Sequence, residues 1–165
     1  MLGINEYIRF INGESIDSIL NKNETGTSVK DIINYNNRLE RDHCFIQWVF
    51  PTDRISNFNT NCPILNRLEI FNLRSNKRVI DTLSLFKDKM FEYWGILPTN
   101  YERMSLLNGH NGLRLSRAIE CLNFFCFDIS FIIPILNDAI KKGILIPKYE
   151  LGIPVWFIRY RNSLY

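Results

Sequence analysis

His43 and His110 are the only two histidines of the chain, and each stands among polar residues at helical spacing. Imidazole is the side chain whose ordinary pKa lies nearest neutrality, so these two positions are where proton-linked chemistry would be sought. Gln47 follows His43 by one helical turn. Asn111, Arg114 and Arg117 follow His110, and on a helix Arg114 at i+4 and Arg117 at i+7 share its side. If the two stretches pack together, His43, Gln47, His110, Asn111, Arg114 and Arg117 line one pocket. It would offer donors and positive charge but no carboxylate pair. That chemistry suits a carboxylate, a phosphate or a peptide terminus, because a guanidinium grips an oxyanion through two parallel hydrogen bonds. The same residues can equally form a structural network. His43 would then donate to a loop carbonyl, Gln47 would tie down residues 51–61, and the arginines would pair with Glu40, Asp42 or Glu120.

Other chemistries find less in the sequence. Zinc takes about four ligands, usually in closely spaced pairs. Here His43 and Cys44 are adjacent and Cys121 and Cys126 are separated by a helical turn and more, so no metal and no cofactor is expected. No G-x-S-x-G elbow marks a nucleophile, and Gly109 and Gly112 lack the strand that precedes a phosphate-binding loop. No residue is assigned a catalytic role. Arg114, Arg117, Arg159 and Arg161, with Trp156, Tyr160 and Tyr165 nearby, interleave cations and aromatics as single-strand nucleic-acid binders do. A packed helix with a solvated face is the simpler reading of those residues. The formal charge of +3, without a dense Lys/Arg tract, permits an anionic partner and does not require one.

With 165 residues, the chain has the length of a single domain, expected to span residues 1–165. A domain of that size buries roughly 70% of its unfolded surface. Hydrophobic residues make up 46% and charged residues 22%, the balance of a soluble protein. The cysteines, Cys44, Cys62, Cys121 and Cys126, form no Cys-x-x-Cys pair and are expected to be reduced. The N-terminus has no basic segment followed by an apolar run, as a secretory signal would. The run from Phe124 to Leu136 is broken by Asp128, Ser130 and Pro134, so no membrane span is expected. The expected location is intracellular and soluble, in the cytoplasm or, for a eukaryotic or viral source, the nucleus.

The elements that would position the polar cluster are helical. Arg38 to Phe50 reads as a central helix, charged at its start, apolar nearly all round at its end, and stopped by Pro51. Leu39, His43, Ile46 and Phe50 would share one face. Earlier, residues 1–11 and 14–20 suit short helices, and Ser28 with Asp31 suits a capping box for a helix to Ile33. Phe58 is expected to plug the loop after Pro51 into the body. Pro63 would open the next helix, to residue 73. Ser75 would cap a long helix ended by Gly95, and Thr99 a short one over Tyr101 to Leu107. Asn111 would cap a helix with Leu115, Ile119, Leu122 and Phe125 on one side. Asp128 would cap another, ended by Gly143, with Pro134 kinking it or in its first turn. Residues 153–165 alternate like a strand, yet Pro154 suits a first helical turn and helix is preferred. The expected fold class is all-α: a single irregular domain of about seven or eight helices around a central apolar helix.

Four stretches, in order, carry a resemblance. Arg38-Leu39-Glu40, His43 and Ile46-Gln47-Trp48-Val49-Phe50-Pro51 come first. Phe58-Asn59 with Pro63 and Leu65 follows, then Met90-Phe91-Glu92-Tyr93-Trp94-Gly95-Ile96. His110-Asn111-Gly112-Leu113-Arg114-Leu115-Ser116-Arg117 completes the set. Together they resemble the conserved domain of the opioid growth factor receptor family, over about residues 35–143, with residues 144–165 as a C-terminal segment packed on it. The resemblance implies a helical binding module that recognises a peptide or protein partner. The alternative is an enzyme or nucleotide-binding protein that uses the His/Arg/Asn/Gln pocket on an anionic small molecule.

Overall fold

In the computed structural model, residues 2–20, 27–35, 39–40, 42, 45–56, 58–150 and 153–162 are described. They hold ten α-helices and one antiparallel ladder of two two-residue strands, so the chain is all-α as expected. The chain divides into two compact units, Met1–Phe86 and Lys87–Tyr165.

The first unit is built from short helices. α1 (Ile4–Ile11) begins where the Glu6 carboxylate accepts from the Gly3 N–H at 2.8 Å, and it buries Tyr7, Phe10 and Ile11. α2 (Ile16–Ile19) is capped by Ser15, whose hydroxyl accepts from Ser18 N–H at 3.1 Å. α3 (Val29–Ile33) has the capping box expected of Ser28 and Asp31. α4 (Ile46–Val49) is buried over its whole length, flanked by Phe45 and Phe50, both 0% exposed. Phe10 of α1 meets Trp48 of α4 with ring centroids 5.5 Å apart, and Tyr35 meets Phe45 edge-on at 6.3 Å.

α4 corrects the expected central helix. It has four residues, Leu39 and Glu40 lie in a turn, and Asp42 lies outside any helix. Tyr35 donates its hydroxyl to Asp42 Oδ2 at 3.4 Å. Leu39, Ile46 and Phe50 are all buried, so their helical periodicity reflects tertiary burial and not one continuous helical face. His43 and Cys44 lie outside the described residues.

After Pro51 the described residues up to Asn61 form a loop. Phe58 does not plug it: its side chain is 82% exposed. The loop is fixed instead by polar groups. Trp48 Nε1 donates to the Asn61 carbonyl at 3.1 Å, and Leu65 N–H donates to the Thr52 carbonyl at 3.1 Å. Pro63 lies in a parallel bridge with Leu2, and the next helix, α5 (Arg67–Leu73), starts later, capped by Asn66 with Glu69 in a capping box. α6 (Lys77–Tyr93) follows. Its first turn is capped by Asn76, whose Oδ1 accepts from Val79 N–H at 3.2 Å, and not by Ser75, which donates to the Asn72 carbonyl. The boundary between the units falls inside α6.

In the second unit Gly95 ends α6 with φ +71°, as expected of a left-handed cap. Glycine is required there for a further reason: a Cβ would lie 2.4 Å from the Asn100 carbonyl oxygen. Asn100, not Thr99, caps α7 (Tyr101–Met104), which runs into a 3-10 turn, Ser105–Asn108. α8 (Asn111–Phe124) and α9 (Ile132–Lys141) come next. Asn111 is the first residue of α8 and not its cap. Asp128 caps no helix; its Oδ1 accepts from Ser130 N–H at 3.1 Å in a local turn. Pro134 sits in the first turn of α9, and Gly143 follows that helix with φ +69°. β1 (Tyr149–Glu150) pairs with β2 (Ile153–Pro154), and α10 (Val155–Asn162) leads on from it, which settles the tail as mainly helix. α10 packs on α8, with Trp156 1% exposed and Asn123 Nδ2 donating to the Tyr160 carbonyl at 3.2 Å.

Candidate functional site

Gln47 belongs to the first unit. It is 5% exposed, and its Nε2 donates to Ser56 Oγ at 3.2 Å. Ser56 Oγ also accepts from Phe58 N–H and Asn59 N–H, each at 3.2 Å. Gln47 therefore anchors residues 51–61 through one serine, the structural role foreseen for it. Its Oε1 is buried and has no partner among the described residues.

The other predicted residues belong to the second unit, on or just before α8. Their exposures differ sharply. His110 precedes the helix and is exposed, whereas Asn111 is 1% and Arg114 6% exposed. Arg114 Nη1 donates to Asn111 Oδ1 at 3.3 Å. Arg117 is half-buried and Glu120 is buried. Asn111, Arg114, Arg117 and Glu120 thus form a row at spacings of three, the separation at which helical neighbours meet. Of the foreseen set, Asn111 and Arg114 are in hydrogen-bond contact, and Glu120 places a carboxylate further along the same helix. A buried guanidinium is tolerated where hydrogen-bond acceptors surround it, and Asn111 supplies one.

Cys121 lies beside this row and is 0% exposed. Burial pushes its thiol well above the ordinary thiol range; the positive charge of Arg117 pulls the other way and the charge of Glu120 adds to the rise. A thiol held protonated is a poor nucleophile. Among the described residues no group of three or more His, Cys, Asp or Glu could hold a metal ion. Trp156 is buried, so it offers no face on which a nucleic-acid base could stack. Among the described residues no helix is long and apolar enough to cross a membrane.

A second feature was not foreseen. Among the described residues, five large apolar side chains of the first unit stand in solvent: Ile55 (65% exposed), Phe58 (82%), Leu68 (69%), Phe71 (62%) and, on α6, Leu85 (54%). α5 buries Ile70 and Leu73 and presents Leu68 and Phe71 outward. The signal was present in the sequence. Leu68, Ile70, Phe71 and Leu73 give a seven-residue helix more apolar positions than one face can bury. Asp53 and Arg67 join the loop to the start of α5 by an ion pair of 2.7 Å, and Arg74 Cζ lies 5.6 Å from the Phe71 ring centroid.

The family model described as the opioid growth factor receptor (OGFr) conserved region matches residues 14–145. No curated protein and no solved structure matches the chain.

Proposed function

The chain belongs to the family of the opioid growth factor receptor conserved region, and from that premise we propose that it is a binding module for a peptide or protein partner. The observation that carries this reading is the set Ile55, Phe58, Leu68 and Phe71 on the surface of the first unit. Leu68 and Phe71 stand three residues apart on α5, where helical neighbours meet, and exposed apolar groups that stand together mark contact surfaces. Aromatic residues and arginine are the side chains that most often dominate binding energy, and Phe71 carries Arg74 on its ring. The test is selection of binders from a displayed random-peptide library on the immobilised chain, followed by calorimetric titration of the enriched peptides. Enrichment of a common pattern, lost in the Leu68→Ser/Phe71→Ser variant, is the expected result. Failure to enrich any peptide over the bare support would overturn the reading.

A second reading has one observation in its favour. His110 is exposed just before α8 and Arg117 is half-exposed two turns into it, while Asn111 and Arg114 are buried between them in sequence. The part of the foreseen ligand set that lies at α8 (His110, Asn111, Arg114, Arg117) would then serve an anionic small molecule. Melting curves against phosphorylated metabolites test it. A ligand at one hundred times its dissociation constant adds about 2.7 kcal/mol of stability. A shift that survives Arg117→Ala excludes this site.

A further inference from the structure

We propose that the Asn12–Gly13 bond is a hydrolytic modification site, at which Asn12 is converted to aspartate and isoaspartate with loss of ammonia. The inference stands apart from the binding-module reading.

The chain holds three Asn–Gly pairs: Asn12–Gly13, Asn108–Gly109 and Asn111–Gly112. Asparagine before glycine is prone to this reaction, because no Cβ on the second residue hinders its backbone nitrogen. That nitrogen gives its proton to solvent hydroxide and attacks Cγ of the asparagine. The N–Cγ bond forms, the Cγ–Nδ2 bond breaks, and Nδ2 takes a proton from water and leaves as ammonia. One water then opens the five-membered imide at either carbonyl, which gives aspartate or isoaspartate. Nothing is oxidised or reduced.

The fold separates the three pairs. Asn111 is 1% exposed, and its Oδ1 accepts from Arg114 Nη1. Gly112 is fixed in α8: its N–H donates to the Gly109 carbonyl at 3.2 Å, and a Cβ there would lie 2.7 Å from the Leu107 carbonyl oxygen. Asn108 is exposed, but both atoms of its amide are engaged. Its Nδ2 donates to the Ile144 carbonyl at 3.0 Å and its Oδ1 accepts from Ile146 N–H at 2.6 Å. The amide must leave both partners before Cγ can turn toward Gly109. Asn12 has neither protection. It is exposed, it stands just past the end of α1, and its side-chain amide makes no hydrogen bond among the described residues. Gly13 follows with φ +101° and open space around it. Its N–H donates to the Phe10 carbonyl at 2.9 Å, a bond of the last turn, where helices fray and the nitrogen is freed.

The conversion acts on the joint between α1 and α2. It places a carboxylate at the carbonyl end of α1, where negative charge is disfavoured. Isoaspartate also adds a carbon to the main chain. Three contacts depend on the native spacing: Glu14 N–H to the Arg9 carbonyl at 3.1 Å, the Arg9–Glu14 ion pair, and Arg78 Nη2 to the Asn12 carbonyl at 3.3 Å. Arg78 lies on α6, so the change extends beyond the turn itself.

The experiment ages the full chain in warm, mildly alkaline buffer, one arm native and one in denaturant, and follows each Asn–Gly peptide by mass spectrometry. In the native arm Asn12 should convert at least about tenfold faster than Asn108, whose two hydrogen bonds must open first, and faster than buried Asn111. In denaturant the three rates should converge. Methyl transfer by an isoaspartyl carboxyl methyltransferase should label the aged native protein and be lost in Asn12→Gln, whose longer side chain closes the ring poorly. The aged protein should melt lower than the fresh one, and Asn12→Gln should escape that decline. Equal native rates at the three positions, or faster conversion at Asn108 or Asn111, overturns the proposal. So does conversion of Asn12 in denaturant with none in the native arm, or a melting temperature that falls equally in Asn12→Gln.

Discussion

Gln47 Nε2 and Ser56 Oγ meet at 3.2 Å with both residues buried, and this one contact ties α4 to the loop that follows it. The serine oxygen receives two loop N–H groups as well, so the pair supports more backbone than its size suggests. Gln47→Leu and Ser56→Ala should each lower stability by about 1–3 kcal/mol, because each leaves buried polar groups without a partner. The double variant should cost less than the sum of the two, as residues in direct contact do. Denaturant unfolding of the four proteins measures this; strict additivity would disconnect the two side chains.

Gly95 and Gly143 have nearly the same left-handed backbone, φ +71° and +69°, in different surroundings. Gly143→Ala meets open space and should cost about 1–2 kcal/mol from backbone conformation alone. Gly95→Ala forces a Cβ to 2.4 Å from the Asn100 carbonyl oxygen and 2.7 Å from Arg103 Cβ, so its cost should exceed that of Gly143→Ala by about 1–3 kcal/mol. Urea midpoints compare them directly, and equal costs would remove the steric argument.

Acid should weaken the helix ends. The Gly3 N–H holds the Glu6 carboxyl below its ordinary value of 4.5, and the Ser28 hydroxyl, with the Ser28 N–H, holds Asp31 below 3.8. Lys142 first, and then the Tyr101 hydroxyl, do the same for Asp138. A carboxyl with a depressed folded-state pKa contributes stability above its unfolded pKa and loses it as pH falls through the folded value. The melting temperature should therefore be flat from pH 7 to about 5 and fall progressively below about 4.5, the unfolded value for glutamate. Glu6→Gln should flatten the upper part of that fall; an unchanged profile would show that the cap at α1 does not contribute.

Thiol labelling should separate the described cysteines. Cys126 is exposed and lies just after α8 with φ +61°, whereas Cys62 and Cys121 are 1% and 0% exposed. A short maleimide pulse with peptide mapping should label Cys126 in the native protein and Cys62 and Cys121 only after denaturation. Rapid native labelling of Cys121 would contradict the packing of α8.

Helix existence was legible in the sequence where local chemistry decides it. The Ser28–Asp31 capping box and the glycines after α6 and α9 are set by side chains or backbone freedom within a few residues. Helix starts moved by a residue where two capping types stand side by side, Ser75 with Asn76 and Thr99 with Asn100, because either can accept from the first-turn N–H groups. α4 was overextended because burial from several directions imitates a helical period over Leu39, Ile46 and Phe50. Phe58 was misplaced because a loop side chain's burial depends on where the loop travels, which polar anchors at Ser56 and Asn61 determine. At the candidate site, residue types and the α8 spacing were legible. The burial that separates Asn111 and Arg114 from His110 was not, since it follows from what α8 packs against.

The brevity of α2, α3 and α4 governs how this unit would exchange its amide protons for deuterium. Helices of four or five residues are unstable in isolation, since each has barely passed its nucleation cost. Their backbone order derives from the side chains packed on them, so uptake there reports the cooperative integrity of the surrounding interior and not fraying of a helix end. The Phe50 N–H, 2.9 Å from the Ile46 carbonyl, becomes a single-proton gauge of whether the apolar interior around Trp48 is closed or open.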